Sequence, residues 1–177
     1  ELGTREINFS RELYIENEDF QENPEDGFFR LSLGEEVRLK NAYIIKAVDL
    51  VKDEEGNVKE VLCEYDSKSR SGSNTPESNR KVKGTIHWVS YTDSVKAKIN
   101  IYDRLFKVPE PGKDNDLKNE VNQNSLEVKE AFVEPYLAES LEAQQFQFQR
   151  LGYFVRTDNK KTLEFNKTVG LKDGWKK

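Results

Sequence analysis

Apolar residues in this chain come in short runs that alternate with polar ones, and that period of two confines it to a mainly β fold. Lys96-Ala97-Lys98-Ile99-Asn100-Ile101-Tyr102 alternates cleanly, and so does Gln144-Gln145-Phe146-Gln147-Phe148-Gln149. In a strand successive side chains point to opposite faces, so Phe146 and Phe148 enter a core while Gln145, Gln147 and Gln149 line the outside. Further β-rich runs cover 43–51, 58–65, 82–90, 126–133 and 163–169, with the last glutamine-rich run extending to Val155. The polar turn at 52–57, containing Gly56, joins two of them into a hairpin. Around ten short strands punctuated by turns point to barrels or a sandwich. Short helical turns are expected at 114–121 and 135–143, and the small polar residues of 67–80 read as a mobile loop.

Composition narrows the function. Hydrophobic residues make up 35% and aromatics 11%, enough buried area to offset the entropy of ordering. Apolar runs fall far short of the roughly 20 residues a membrane helix needs, so no membrane partner is expected. The single Cys63 fits a reducing, cytoplasmic setting, and the lack of any Met suggests a processed chain or a piece of a longer one. A net charge of −5 speaks against sequence-independent nucleic-acid binding. The charge is uneven, however: residues 12–36 are rich in acids, whereas Arg80-Lys81-Val82-Lys83 and Lys96, Lys98, Arg104 and Lys107 are basic. Any recognition of nucleic acid is therefore focal.

The residues offer directed hydrogen bonding but no active centre. Amides on the outer face of 144–149, closed by Arg150, supply donors and acceptors without a nucleophile, a set suited to base edges. An ordinary half-buried strand explains the same alternation. Phe28 to Asn41 reads as a hairpin turning at Gly34-Glu35, which places Arg30 on one strand and Arg38 and Lys40 on the other. Three cations there suit a phosphate or a base edge; a solvated face with Glu35 and Glu36 as partners accounts for them equally. His87, beside Trp88, lacks metal-ligand companions and reads as a core or semi-core residue, and Cys63 as an inert thiol. There is no phosphate loop, nucleophile elbow or zinc spacing, so no catalytic residue and no metal site is expected.

Five stretches carry a resemblance. They are 33–43 (Leu-Gly-Glu-Glu-Val-Arg-Leu-Lys-Asn-Ala-Tyr), 80–90 (Arg-Lys-Val-Lys-Gly-Thr-Ile-His-Trp-Val-Ser), 101–106, 146–154 (Phe-Gln-Phe-Gln-Arg-Leu-Gly-Tyr-Phe) and 170–175. In matching order, nearly end to end, the chain resembles the C-terminal anticodon-binding region of the glutaminyl-tRNA synthetase family, class I aminoacyl-tRNA synthetases. The resemblance implies two six-stranded antiparallel β-barrels of a ribosomal-protein type with few short helices. The distal barrel would hold mostly 28–107, and the proximal one mostly 1–27 and 108–177. The catalytic Rossmann domain, with ATP and Mg, would lie upstream in the parent ligase; the present piece would be non-catalytic and need no cofactor.

The same resemblance implies roles residue by residue. Arg30 matches an arginine at the third anticodon base. Arg38 and Lys40 match an arginine pair near the first base, with Lys40 lacking the planar fork needed for bidentate contact. Gln147 and Arg150 match the residues that hold the middle base, a uracil. Lys81 and Lys83 are candidate grips on the RNA backbone. Gly27 and Phe29 depart from the bacterial pattern, and Gly174 stands where the family has a threonine. The expected partners are the anticodon stem–loop of glutamine tRNA and the parent's own catalytic domain, in a monomer. Two other readings stay open: the equivalent domain of an archaeal- or eukaryotic-type glutamyl-tRNA synthetase, and a β-barrel protein-interaction module with no RNA role. One difficulty is visible in the alternation itself. Arg150 has the parity of Phe146 and Phe148, so the strand must end or bulge before Leu151-Gly152 if Arg150 is to act beside Gln147.

Overall fold

The computed structural model describes residues 4–113 and 115–171. Eleven strands and one helical turn follow in order: β1 (Leu13–Ile15), β2 (Glu36–Leu39), β3 (Ile44–Lys52), β4 (Val58–Asp66), β5 (Gly84–Ile86), β6 (Trp88–Ser90), β7 (Val95–Tyr102), α1 (Leu117–Glu120), β8 (Leu126–Val133), β9 (Gln145–Phe148), β10 (Gly152–Arg156) and β11 (Glu164–Val169). The mainly β class read from the alternation is the class observed. Two compact units divide the chain: one is Ile7–Thr92, and the other gathers the described residues up to Glu6 and from Asp93 onward. The first unit is inserted in sequence within the second, with boundaries at 7 and 92. Within this division β1 pairs with β6, and β7 sits inside the other unit's sheet.

In the Ile7–Thr92 unit, a four-stranded sheet runs β4-β3-β2-β5 beside the β1-β6 pair. Leu31, Val37, Leu39, Ala42, Ile45, Ala47, Ile86 and Trp88 form its core. Alternation sets this up: Val37 and Leu39 are buried on β2 while Glu36 and Arg38 stand on the other face. The hairpin expected over 28–41 does not form. Both edges of β2 are taken, by β3 antiparallel and by β5 parallel, which leaves no edge for 28–33. That segment instead makes two parallel bridges, Leu31 to Phe20 and Leu33 to Ala47. The turn at Gly34 is real: φ is 82°, and Glu35 N donates to Ser32 O at 3.0 Å. Its glycine supplies the positive φ a type II turn needs.

The segment 67–80 is not a loose loop. Ser69 is 0% exposed. Its Oγ accepts from Ile44 N at 2.7 Å and donates to Asp66 O at 2.6 Å. Ser71 N and Oγ both reach Ala42 O, at 2.8 and 2.9 Å, and Thr75 Oγ1 donates to Lys68 O at 2.6 Å. Serine and threonine hydroxyls here do the work of a neighbouring strand, satisfying backbone groups the sheet leaves open.

The other unit holds a five-stranded sheet in the order β8-β7-β11-β10-β9. Ala97, Ile99, Val133, Phe154 and Phe165 are its buried centre, with Phe146 and Phe148 packed on them. Phe148 stacks on Phe154 at 4.2 Å, and Phe146 meets Phe165 edge-on at 5.8 Å. Neither main sheet matches the six-stranded antiparallel expectation. The described strands number four and five, and β2–β5 and β11–β7 pair in parallel. Parallel pairing arises because each partner returns through a long connection, not a tight hairpin. The helix expected over 114–121 is one turn, capped by the Asp116 side chain accepting from Lys118 N, and 135–143 contributes a 3-10 turn at Pro135–Glu139.

Candidate nucleic-acid interface

The glutamine-bearing hairpin settles the parity question. β9 ends at Phe148, and Gln149, Arg150 and Leu151 form the turn, closed by Leu151 N donating to Phe148 O at 3.0 Å. Arg150 has φ 67°, the left-handed conformation, so strand alternation no longer governs its side chain. Gln149 thus belongs to the turn and not to the row of outer-face amides, which is left to Gln145 and Gln147. Both are exposed, whereas Phe146 and Phe148 face the core. Gly152 then lets β10 pass close to β11: with φ 140°, a Cβ there would lie 2.5 Å from Val169 O. Gln147 and Arg150 are three residues apart at one end of the sheet, on a hairpin anchored by two phenylalanines.

In the Ile7–Thr92 unit the candidate cations are held by distinct elements. Arg30 pairs through Nε with Asp19 Oδ1 at 2.9 Å, and Asp19 is 1% exposed. A buried carboxylate fixes the guanidinium's position at the surface, since leaving that charge unpaired would be costly. Arg38 is bound from below. Its Nη1 donates to Ser69 O at 3.0 Å and its Nη2 to Ser78 O at 2.8 Å, with Arg80 O at 3.3 Å. The guanidinium therefore staples the 67–80 segment to β2. Lys40 stands exposed in the turn between β2 and β3, where Asn41 takes φ 58° and Ala42 N donates to Leu39 O. Its backbone carbonyl accepts from Trp88 Nε1 at 3.0 Å, which fixes the turn against the core.

The basic run 80–83 divides by role. Arg80 is committed to Glu36 and Asp66, and those carboxylates raise its pKa further. Lys81 and Lys83 are exposed beyond it. The structural duties of Arg38 and Arg80 were not visible in the sequence, because their side-chain partners lie 14 to 44 residues away along the chain.

Among the described residues, no acid–base centre emerges from the remaining groups. Cys63 contacts Val61 O at 3.8 Å, and local crowding of its thiol pushes the pKa up to about 11, although the residue surface is exposed. A thiol with that pKa is unreactive near neutrality. His87 is half-buried between β5 and β6. Glu164 has a lowered pKa, chiefly because Asn100 donates to it at 2.6 Å, with Asn159 adding a second bond. Among the described residues no group of three or more His, Cys, Asp or Glu side chains is arranged to hold a metal ion. Gly174 and the end of the matched 170–175 stretch lie outside the described residues. What the surface offers is hydrogen-bond donors and acceptors on rigid supports.

Two family models match, both described as tRNA synthetases class I (E and Q), anti-codon binding domain; one covers residues 1–66 and the other 85–157. A glutamine–tRNA ligase of Pseudoalteromonas atlantica is 50% identical over 183 residues, which takes in 100% of this chain and 32% of the relative. Those of Vibrio vulnificus and Escherichia coli are 48% and 45% identical, again over 100% of the chain and 32% of the relative. The chain thus spans about a third of the length of the curated relatives it matches, 32% in each case. With matches at both ends of the sequence and a mainly β fold, the chain belongs to the anticodon-binding domain family of the class I (E and Q) tRNA synthetases.

Proposed function

We propose that this chain binds the anticodon loop of glutamine tRNA as the C-terminal, non-catalytic module of a glutamine–tRNA ligase. The observation that carries the reading is the β9–β10 hairpin, which sets Gln147 in the strand and Arg150 at the turn. Sequence-specific RNA recognition targets unpaired bases, held through their edges by amides and guanidinium groups. Gln147 and Arg150 read the middle base, a uracil. In the other unit, Arg30 reads the third base, and Arg38 and Lys40 engage the first. Lys81 and Lys83 hold the phosphate backbone, which lets an acidic protein bind RNA at a few chosen points.

In the whole ligase the module selects the cognate tRNA while ATP-dependent glutaminylation takes place in a separate catalytic domain that holds ATP and Mg. The enzyme acts as a cytoplasmic monomer. Matches to glutamine–tRNA ligases over the whole of this chain favour the glutamine form over the glutamate form that shares the family name.

Fluorescence anisotropy with anticodon stem–loops carrying each of the four middle bases tests the reading. A good bidentate base contact is worth about 1–3 kcal/mol of discrimination. The unmutated chain should therefore prefer uracil, and Gln147→Ala or Arg150→Ala should erase most of that preference. Equal affinity of the unmutated chain for every middle base overturns the proposal.

A further inference from the structure

We propose that Tyr153 is the platform on which the base read by Gln147 stacks, an inference that rests on the anticodon-binding function above. Tyr153 and Gln147 are direct cross-strand partners in the β9–β10 ladder. Such partners project from the same face with Cβ atoms about 4.5–5.5 Å apart, the right separation for one flat group to contact both. Both side chains are exposed, and Tyr153 keeps 45% of its surface open to solvent.

The ring is also unengaged. Among the described residues neither the Tyr153 hydroxyl nor its ring has a hydrogen-bond or aromatic partner; its carbonyl alone accepts, from Thr168 Oγ1 at 3.0 Å. Several other exposed aromatics are packed. Phe9 meets Tyr43, Tyr65 and Trp88 within 5.7 Å, Tyr91 meets Tyr14 at 5.3 Å, and the Tyr102 hydroxyl reaches Asn166 at 3.4 Å. The backbone around Tyr153 is nevertheless rigid. Phe154, next in sequence, is 3% exposed beneath the sheet, and Gly152 lies against Val169. A fixed strand thus displays a bare aromatic face beside an amide that can read an edge.

The chemistry of an unpaired nucleobase matches that pair. It has a π-face that stacks on an aromatic ring and an edge that hydrogen-bonds an amide. Gln147 and Arg150 carry only edge and charge recognition, and stacking supplies the part of binding that does not depend on base identity. Loss of Tyr153 should therefore weaken binding to all four middle bases alike, whereas loss of Gln147 should alter their ranking.

The test uses the full chain and stem–loops with 2-aminopurine in the middle position, whose fluorescence is quenched by stacking. Tyr153→Phe should keep both affinity and quenching. Tyr153→Leu and Tyr153→Ala should bind about tenfold more weakly to every middle base and lose the quenching, with thermal melting unchanged enough to exclude unfolding. If the unmutated chain discriminates middle bases and Gln147→Ala abolishes this, yet Tyr153→Leu retains full affinity and quenching, the stacking inference falls and the anticodon reading stands. If the unmutated chain shows no middle-base preference, the reading and the inference fall together.

Discussion

Replacing Ser69 with alanine should destabilise the Ile7–Thr92 unit far more than a surface serine substitution does. Ser69 Oγ is the acceptor for the Ile44 N–H at 2.7 Å and donates to Asp66 O at 2.6 Å, in a side chain that is 0% exposed. Alanine leaves the Ile44 N–H buried with no acceptor, whereas Asp66 O keeps its bond from Ser69 N at 3.0 Å. An orphaned buried donor costs about 1–3 kcal/mol, and the lost hydroxyl bond adds about 1 more. The sum, about 2–4 kcal/mol, corresponds in a unit of this size to a drop in melting temperature of roughly 10–30 °C. Ser73 is the control, because its hydroxyl bonds Arg70 O at an exposed position and its loss should cost no more than about 0.5 kcal/mol. Only two tryptophans occur in the chain, so in a Trp175→Phe background the buried Trp88 reports this unit alone during urea unfolding. Faster hydrogen exchange at the Ile44 amide should accompany the loss. If Ser69→Ala and Ser73→Ala differ by less than about 0.5 kcal/mol, the 67–80 segment does not substitute for a strand and the reasoning fails.

Gly84→Ala should also strike this unit, since a Cβ there would drive into the Phe29 carbonyl while sitting 3.4 Å from Val37 Cγ1. Overpacking against backbone costs on the order of 1–3 kcal/mol, readable as a lowered urea midpoint; an unchanged midpoint would show that 28–30 can shift freely. Glu164→Gln should flatten the acid side of the stability profile. The folded-state pKa of Glu164 is lowered from its ordinary 4.5 by the Asn100 and Asn159 bonds, so its stabilisation is present above that value and disappears as pH falls through the lowered one. Unfolding measured at pH 7 and at pH 3 to 4 should therefore show the wild type losing more stability than the variant; equal losses would contradict the assignment. Lys40→Arg, which supplies a planar fork in place of a point charge, should tighten stem–loop binding with the gain confined to variation of the first anticodon base. A gain spread evenly over all bases would mark a backbone contact instead.

Much of the β architecture was legible locally. The runs that became β3, β4, β7, β8 and β11 alternate or are rich in β-formers over four or more residues, and the observed bounds shift by a residue or so. The run 82–90 was broken into β5 and β6, and 144–155 into β9 and β10, because pairing partners and not composition decide where a strand stops. The error over 28–41 has the same origin. A glycine turn between two apolar runs predicts a hairpin, but β3 and β5 won both edges of β2.

For the candidate site, the chemical inventory could be read directly from the residues: amides at 145, 147 and 149, guanidinium groups at 30, 38 and 150, and lysines at 40, 81 and 83. The sequence also contained the conflict between Arg150's parity and Gln147's, without its resolution. Tertiary structure alone decided that the strand ends at Phe148, that Arg150 takes a positive φ in the turn, and that Tyr153 stands beside Gln147. It likewise assigned Arg38 to the carbonyls of a serine-rich segment and Arg30 to a buried Asp19. Side-chain type and local period are properties of neighbouring residues, which a sequence displays directly. Register, edge occupancy and the partners of a long guanidinium depend on groups brought together from distant parts of the chain, and only the folded backbone specifies them.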